Sequence, residues 1–285
     1  MLADVKADSL CVDPDDLRRK ITPRTRGVIA VDLCGLPCPD FEQIREICRD
    51  SSLFLIEDAC HAHGASFNDR KAGSLGDVGC FSFAPTKVMT TGTGGILTTD
   101  NAGLAEYGHS ARRFGAGDNG NNVESMGNSW LMDEISALLG IFQLRALDAN
   151  VARRNDIARM YAESLGNVAG LELFKVPSHI KHAYHKYPIL LPPGTDKSKF
   201  VELMRQEHRV GLGSAYDPPL HLQPLYQKLF GFRRGMFPQA EALAERTVCL
   251  PIFVGMTVRD VEYVSSCLQA VLSKCQRTAA YGSGS

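Results

Sequence analysis

The chain has 285 residues, 44% hydrophobic and 22% charged, enough to bury a large core in one or two domains. A formal net charge of −1 leaves no basic surplus to attract nucleic acid or an anionic membrane surface. No uninterrupted apolar run approaches the ~20 residues of a membrane span, and Met1-Leu2-Ala3-Asp4 starts no signal peptide, so a cytoplasmic protein is expected.

Asp13-Pro14-Asp15-Asp16 reads as an N-cap, a proline at the first helical position and acids in the first turn, which predicts a short helix to about Lys20. Val28 to Leu33 is a nearly continuous apolar run, the pattern of a strand covered on both faces. Phe41, Ile44, Ile47 and Cys48 share a helix face, and Leu53 to Ile56 is the next strand. These form a β-α-β unit, with a right-handed crossover and a parallel sheet. Asp58 falls just past the carboxyl end of its strand, where open α/β sheets place ligands.

Two further strands, Val78 to Phe83 and Ile96 to Thr99, surround the loop that carries Lys87. Helices are expected near 101–112 and 132–147. The second is apolar almost all round (Ile135, Leu138, Leu139, Ile141, Phe142, Leu144), which predicts burial. Gly115 to Asn122 is a loop between them. A helix from Val151 to Leu165 leads into a smaller α/β unit. The expected division is a large domain over 1–165, a small C-terminal domain over 166–278 and a flexible tail over 279–285 that ends in Gly282-Ser283-Gly284-Ser285. Nine cysteines at irregular spacings make no disulfide framework and are expected as reduced thiols, with Cys60 and Cys80 as small core residues.

Lys87 lies between the apolar run Phe81-Ser82-Phe83-Ala84-Pro85 and the loop Thr90-Thr91-Gly92-Thr93-Gly94-Gly95. A lysine on a tight loop and a carboxylate at a strand end are what pyridoxal phosphate (PLP) needs. The lysine links to the cofactor aldehyde as a Schiff base, and the carboxylate keeps the pyridine nitrogen protonated. Partial burial would favour the neutral, nucleophilic amine. Cys60, His61 and His63 are close in sequence, and His182 is near His185, but no cysteine pair at zinc-type spacing accompanies them, so no metal site is expected.

Ile56-Glu57-Asp58-Ala59-Cys60-His61-Ala62-His63-Gly64-Ala65, Gly73-Ser74-Leu75-Gly76-Asp77-Val78-Gly79-Cys80-Phe81-Ser82-Phe83 and Lys87 occur in that order. So do Met132 to Ala137, Gln143 to Asp148, Tyr216-Asp217-Pro218-Pro219-Leu220-His221 and Leu250-Pro251. Taken together they resemble the DegT/DnrJ/EryC1/StrS aminotransferases, largely nucleotide-sugar aminotransferases, over nearly the whole chain. The resemblance implies an α/β, type I PLP-dependent transferase fold, with a mainly parallel large domain and a smaller α/β domain. It implies PLP on Lys87, Asp58 at the ring nitrogen, His61 at the ring hydroxyl and Ser82 at the phosphate. Thr86 and Thr91 are weaker candidates beside the phosphate. His185, Tyr216 and His221 resemble substrate-side positions.

The implied reaction is amination of a keto-sugar nucleotide by a glutamate-type donor, with Lys87 as anchor and general base, in a homodimer. A sibling branch that dehydrates sugars has histidine in place of this lysine. Ser129, Leu131 and Thr93 stand where the family usually has asparagine, arginine and glutamate. The family also carries a segment before the position matched by Met1, roughly a quarter of its fold, including a helix start that cups the phosphate. The large domain is therefore expected to be incomplete at its N-terminus and cofactor binding to be weak. The alternative is a non-catalytic remnant or partner subunit that dimerises and binds PLP weakly or not at all.

Overall fold

A computed structural model describes residues 1–117 and 122–281. The centre of the expected 115–122 loop and the 282–285 end of the expected tail lie outside the described residues. Helix α1 (Pro14–Lys20) starts where its cap predicts: the Asp13 carboxylate accepts from the Asp15 backbone N–H at 2.9 Å. Strand β1 (Gly27–Val31), helix α2 (Phe41–Asp50) and strand β2 (Phe54–Asp58) make the β-α-β unit, with β1 and β2 parallel. Phe41, Ile44, Ile47 and Cys48 form the buried face of α2. Each such aliphatic or aromatic side chain contributes about 1.5–3 kcal/mol on burial.

Strands β3 (Ser66–Phe67) and β4 (Arg70–Lys71) make a small hairpin. Strands β5 (Val78–Ser82) and β6 (Gly95–Thr98) complete a four-stranded sheet in the order β1-β2-β5-β6. The first three strands are parallel and β6 is antiparallel to β5, so the fold is α/β with a mainly parallel sheet. The cover expected on both faces of β1 is corrected. Val28 and Ala30 are buried, but Ile29 is 63% exposed. One face packs on α1 and α2; the other opens into a cleft of about 1020 Å³ whose wall includes Ile29, Val31, Asp58 and Tyr216.

Helix α3 (Ala102–Ala111) precedes α4 (Glu134–Leu165), where two further corrections arise. The helices expected at 132–147 and 151–165 are one continuous helix, because Asp148-Ala149-Asn150 contains no glycine or proline to stop it. The expected burial of its first half also fails: Ile135 is 82% exposed and Phe142 59%, with Leu138 and Leu144 exposed beside them. Nothing else in the described chain covers that apolar surface. The second half is buried through Ile157, Tyr161 and Leu165.

That second half packs into the C-terminal core. Strands β7 (Glu172–Leu173), β8 (Ile180–Lys181) and β9 (Tyr187–Leu190) are followed by helices α5 (Lys197–His208), α6 (Pro224–Phe230) and α7 (Pro238–Arg246), strand β10 (Thr247–Leu250) and helix α8 (Val258–Tyr281). An antiparallel β10-β9-β7 sheet sits against α4, α5 and α8 around Ile189, Phe200, Met204 and Leu268. β8 pairs instead with β3, which ties the two halves of the chain. All nine cysteines are free thiols.

Candidate active site

Asp58 is delivered by the pleat of β2. Leu55 and Glu57 point into the core, so Asp58 points the other way, towards the cleft. Its backbone is held from both sides by pairing with Val31 and Cys80. Its carboxylate accepts from the Cys60 backbone N–H at 3.1 Å and lies against the Cys60 thiol.

The turn after β2 is built from fully buried Ala59, Ala62 and Ala65, small enough to let it fold back tightly. It buries His61 and His63. His61 Nδ1 accepts from the Cys34 backbone N–H at 3.3 Å, so its proton is on Nε2 and that atom is a donor. Burial, followed by the charges of Lys87 and Lys186, lowers the His61 pKa to about 4, leaving the ring neutral near pH 7. Gly35, at φ +98°, makes the Cys34 contact geometrically feasible. A Cβ there would stand 2.7 Å from the His61 carbonyl and 3.0 Å from the His185 nitrogen.

His185 and Tyr216 arrive from the C-terminal half. The His61 and His185 ring centres are 4.3 Å apart, and the Tyr216 ring lies near parallel to His61 at 6.2 Å and 10°. The 183–186 segment is fixed to the β1 side by Ala183 N–H to Gly35 O at 2.9 Å and Lys186 N–H to Cys34 O at 3.1 Å. Lys186 Nζ sits 5.5 Å from the Tyr216 ring centre and donates to Ser214 O at 2.6 Å. Burial and nearby positive charge push the His185 pKa far down.

Lys87 sits on the turn that leaves β5. Its backbone N–H donates to Ala84 O at 3.0 Å, and the loop is closed by Phe83 N–H to Gly94 O at 2.9 Å. The side chain is half-buried. Burial lowers its pKa, Asp58 and Cys60 pull it back up, and Lys186 lowers it further. Asp58, Cys60, His61, Lys87 and Lys186 therefore belong to one electrostatic cluster. Ser82, at the end of β5, accepts from Ala84 N–H at 3.4 Å. Thr91 Oγ1 donates inward to Thr93 O at 2.6 Å, while Thr86 is exposed.

His221 stands apart from this cluster. It lies on the cleft wall, but its Nε2 is 2.9 Å from Glu241 Oε1 in a buried pair, with Glu241 also accepting from Gly235 N–H. Lys186 and the Cys34-Gly35 turn had no motif or spacing to mark them. Among the described residues, no group of three or more His, Cys, Asp or Glu side chains is arranged to hold a metal ion.

Residues 1–269 match the model of the DegT/DnrJ/EryC1/StrS aminotransferase family. The chain belongs to that family. It is 33% identical to the spore coat polysaccharide biosynthesis protein SpsC of Bacillus subtilis, over 95% of this chain and 73% of the relative. It is 31% identical to a GDP-perosamine synthase of Caulobacter vibrioides, over 95% of this chain and 73% of that protein. The crystal structure of the aminotransferase TlmJ from Streptoalloteichus hindustanus superposes with a TM-score of 0.88 at 30% identity, over 96% of this chain and 73% of that one. The family assignment makes the chain an aminotransferase with the fold of its PLP-dependent members.

Proposed function

We propose that this aminotransferase uses PLP to pass an amino group from a glutamate-type donor to a keto-sugar nucleotide. The observation that carries the reading is the meeting of Lys87 and Asp58 in one cluster, the lysine pKa lowered and the carboxylate aimed into the cleft from a strand end. The donor set fits the cofactor. Asp58 would hold the proton of the ring nitrogen, His61 Nε2 would donate to the ring hydroxyl oxygen, and Ser82 Oγ would donate to the phosphate. When bound, PLP supplies the aldehyde that takes the amino group and a ring that disperses the developing charge. Lys87 Nζ, its pKa lowered by partial burial, would both anchor the cofactor and take the proton from the donor's α-carbon.

Tyr216 and Lys186, with His185 behind them, would face the substrate in the cleft. The nucleotide-sugar class is supported by relatives such as the GDP-perosamine synthase. We place the cofactor on the 1–165 domain and assign the 166–278 domain to closing the substrate side. The exposed apolar half of α4 supports a homodimer, and a cytoplasmic enzyme is consistent with that use. By length and composition α4 is also able to cross a membrane. Docking on a second copy hides the same surface while keeping Arg153 and Arg154 in the protein.

The test is spectroscopic. Protein in excess PLP should show the visible absorption of lysine-linked cofactor over that of free PLP, Lys87→Ala should lack it, and glutamate should convert it. Visible absorption that persists unchanged in Lys87→Ala sinks the assignment.

A further inference from the structure

Behind Asp58, on the side away from the cleft, two carboxyl groups are buried together. Asp32 follows β1, Glu57 precedes Asp58 in β2, and both have 0% exposure. Glu57 uses both oxygens: Oε1 accepts from Gly73 N–H at 2.6 Å and Oε2 from Leu75 N–H at 2.7 Å. Asp32 Oδ1 accepts from Cys38 N–H at 3.1 Å, while Oδ2 is buried with no donor. β1 and β2 register Ala30 with Glu57 and Val31 with Asp58, so Asp32, the next residue, falls on the same buried face as Glu57 on the neighbouring strand.

The other titratable groups facing the pair are the thiols of Cys38 and Cys11, on the Asp32 side. Neither supplies a positive charge. Ionisation of Asp32 here is disfavoured by burial and by repulsion from the Glu57 carboxylate beside it. One retained proton removes the repulsion and gives Asp32 Oδ2 the partner it otherwise lacks. Burial first, and then the charge of Glu57, raises the Asp32 carboxyl well above the usual carboxylate range.

We propose that Asp32 and Glu57 share a single proton, with Asp32 Oδ2–H donating to Glu57, and that this pair is the device that positions Asp58. The second half rests on the reading of Asp58 given above. The lever is short. The Asp32 backbone N–H donates to the Asp58 carbonyl at 3.1 Å, so holding Asp32 holds the end of β2. Glu57 fixes the adjacent pleat, and side chains of successive strand residues point to opposite faces, so anchoring Glu57 inward aims Asp58 outward. The same Glu57 clamps the 73–75 turn. Gly73 O in turn accepts from Thr98 Oγ1 at 2.6 Å, which extends the anchorage to β6.

Urea unfolding of the protein without added PLP, from pH 4.5 to 8, tests the proton. Asp32→Asn keeps an acceptor for Cys38 N–H and an N–H donor for Glu57, yet does not titrate. A raised folded pKa means that the stability held by Asp32 is full below its unfolded value of ~3.9 and is lost as pH rises through the folded value. The unfolding constant of the wild type should therefore climb relative to that of Asp32→Asn by up to about tenfold per pH unit in that window. Parallel pH dependence of the two proteins would overturn the shared proton.

Positioning is tested by PLP affinity. Asp32→Asn should bind within about twofold of wild type. Asp32→Leu, which cannot donate to Glu57, and Glu57→Gln, which leaves one backbone N–H without an acceptor, should each weaken PLP at least tenfold. Wild-type affinity in both would overturn the positioning role, and Glu57→Gln alone decides it if Asp32→Leu does not fold. A wild type that binds no PLP overturns the cofactor reading and with it the positioning role, while the unfolding comparison still decides the shared proton.

Discussion

His63→Phe is expected to protect the fold against mild acid. His63 is 3% exposed, its ring lies 5.1 Å from that of Phe81 and 5.8 Å from that of Phe83, and neither ring nitrogen has a hydrogen-bond partner. Burial, followed by the charge of Lys87, lowers its pKa from 6.5 to about 4. For a base with a depressed folded pKa, the associated stability is whole above the unfolded value and is lost as pH falls towards the folded one, here from 6.5 to about 4. Between pH 7 and pH 5 that loss is about 2 kcal/mol for this one residue. Phenylalanine fills the same space between two aromatic rings and cannot be protonated. Urea unfolding at pH 7 and pH 5, with the slope checked for constancy, should show the variant losing about 2 kcal/mol less than wild type. His61 and His182, whose pKa values fall the same way, are common to both proteins and cancel in the difference. Equal losses in the two proteins would refute the claim that His63 is buried neutral.

Asp58→Asn should retain PLP but reduce turnover by roughly 10²-fold or more, because the ring nitrogen loses its counter-charge; wild-type turnover would assign the carboxylate another job. Leu138→Glu, on the exposed face of α4, should convert a dimer to a monomer in sedimentation at micromolar concentration, since a buried unpaired charge costs several kcal/mol. An unchanged sedimentation profile would place the interface elsewhere. Arg154 is buried, has no carboxylate partner among the described residues, and donates to Tyr184 O at 2.8 Å and Ile252 O at 3.1 Å. Arg154→Ala should cost about 2–4 kcal/mol in urea unfolding by orphaning both carbonyls, and a change under 0.5 kcal/mol would refute that.

Elements whose signals are local were legible in the sequence. The Asp13-Pro14 start of α1, the apolar face of α2 and the strand-end position of Asp58 each follow from a few adjacent residues. The two burial expectations that failed share one cause: periodicity shows that a surface is apolar, not what covers it. Ile29 and Phe142 both read as core, and both are exposed in the single chain. The join of the two expected helices into α4 was missed because Asp148 and Asn150 are poor helix formers, yet neither breaks a helix that tertiary packing supports. In the site, Lys87 and Asp58 carried their own context. The approach of His185 and Lys186 to His61 depends on two backbone hydrogen bonds to the Cys34-Gly35 turn, far away in sequence, and no local pattern encodes it.

The unbroken run of α4 has a mechanical consequence. At 32 residues it is a rod about 48 Å long. Its first half presents the uncovered apolar surface and its second half is built into the β9–β10 core. A tilt of about 3° pivoting at one end displaces the other by about 2.5 Å, and close-packed interiors transmit such displacements rather than absorb them. Occupancy of the outer face would on this geometry be felt in the half of the molecule that carries His185 and Tyr216. Amide hydrogen exchange in β9 and β10 should slow as protein concentration rises through the association range, and exchange independent of concentration would show the rod to be mechanically silent.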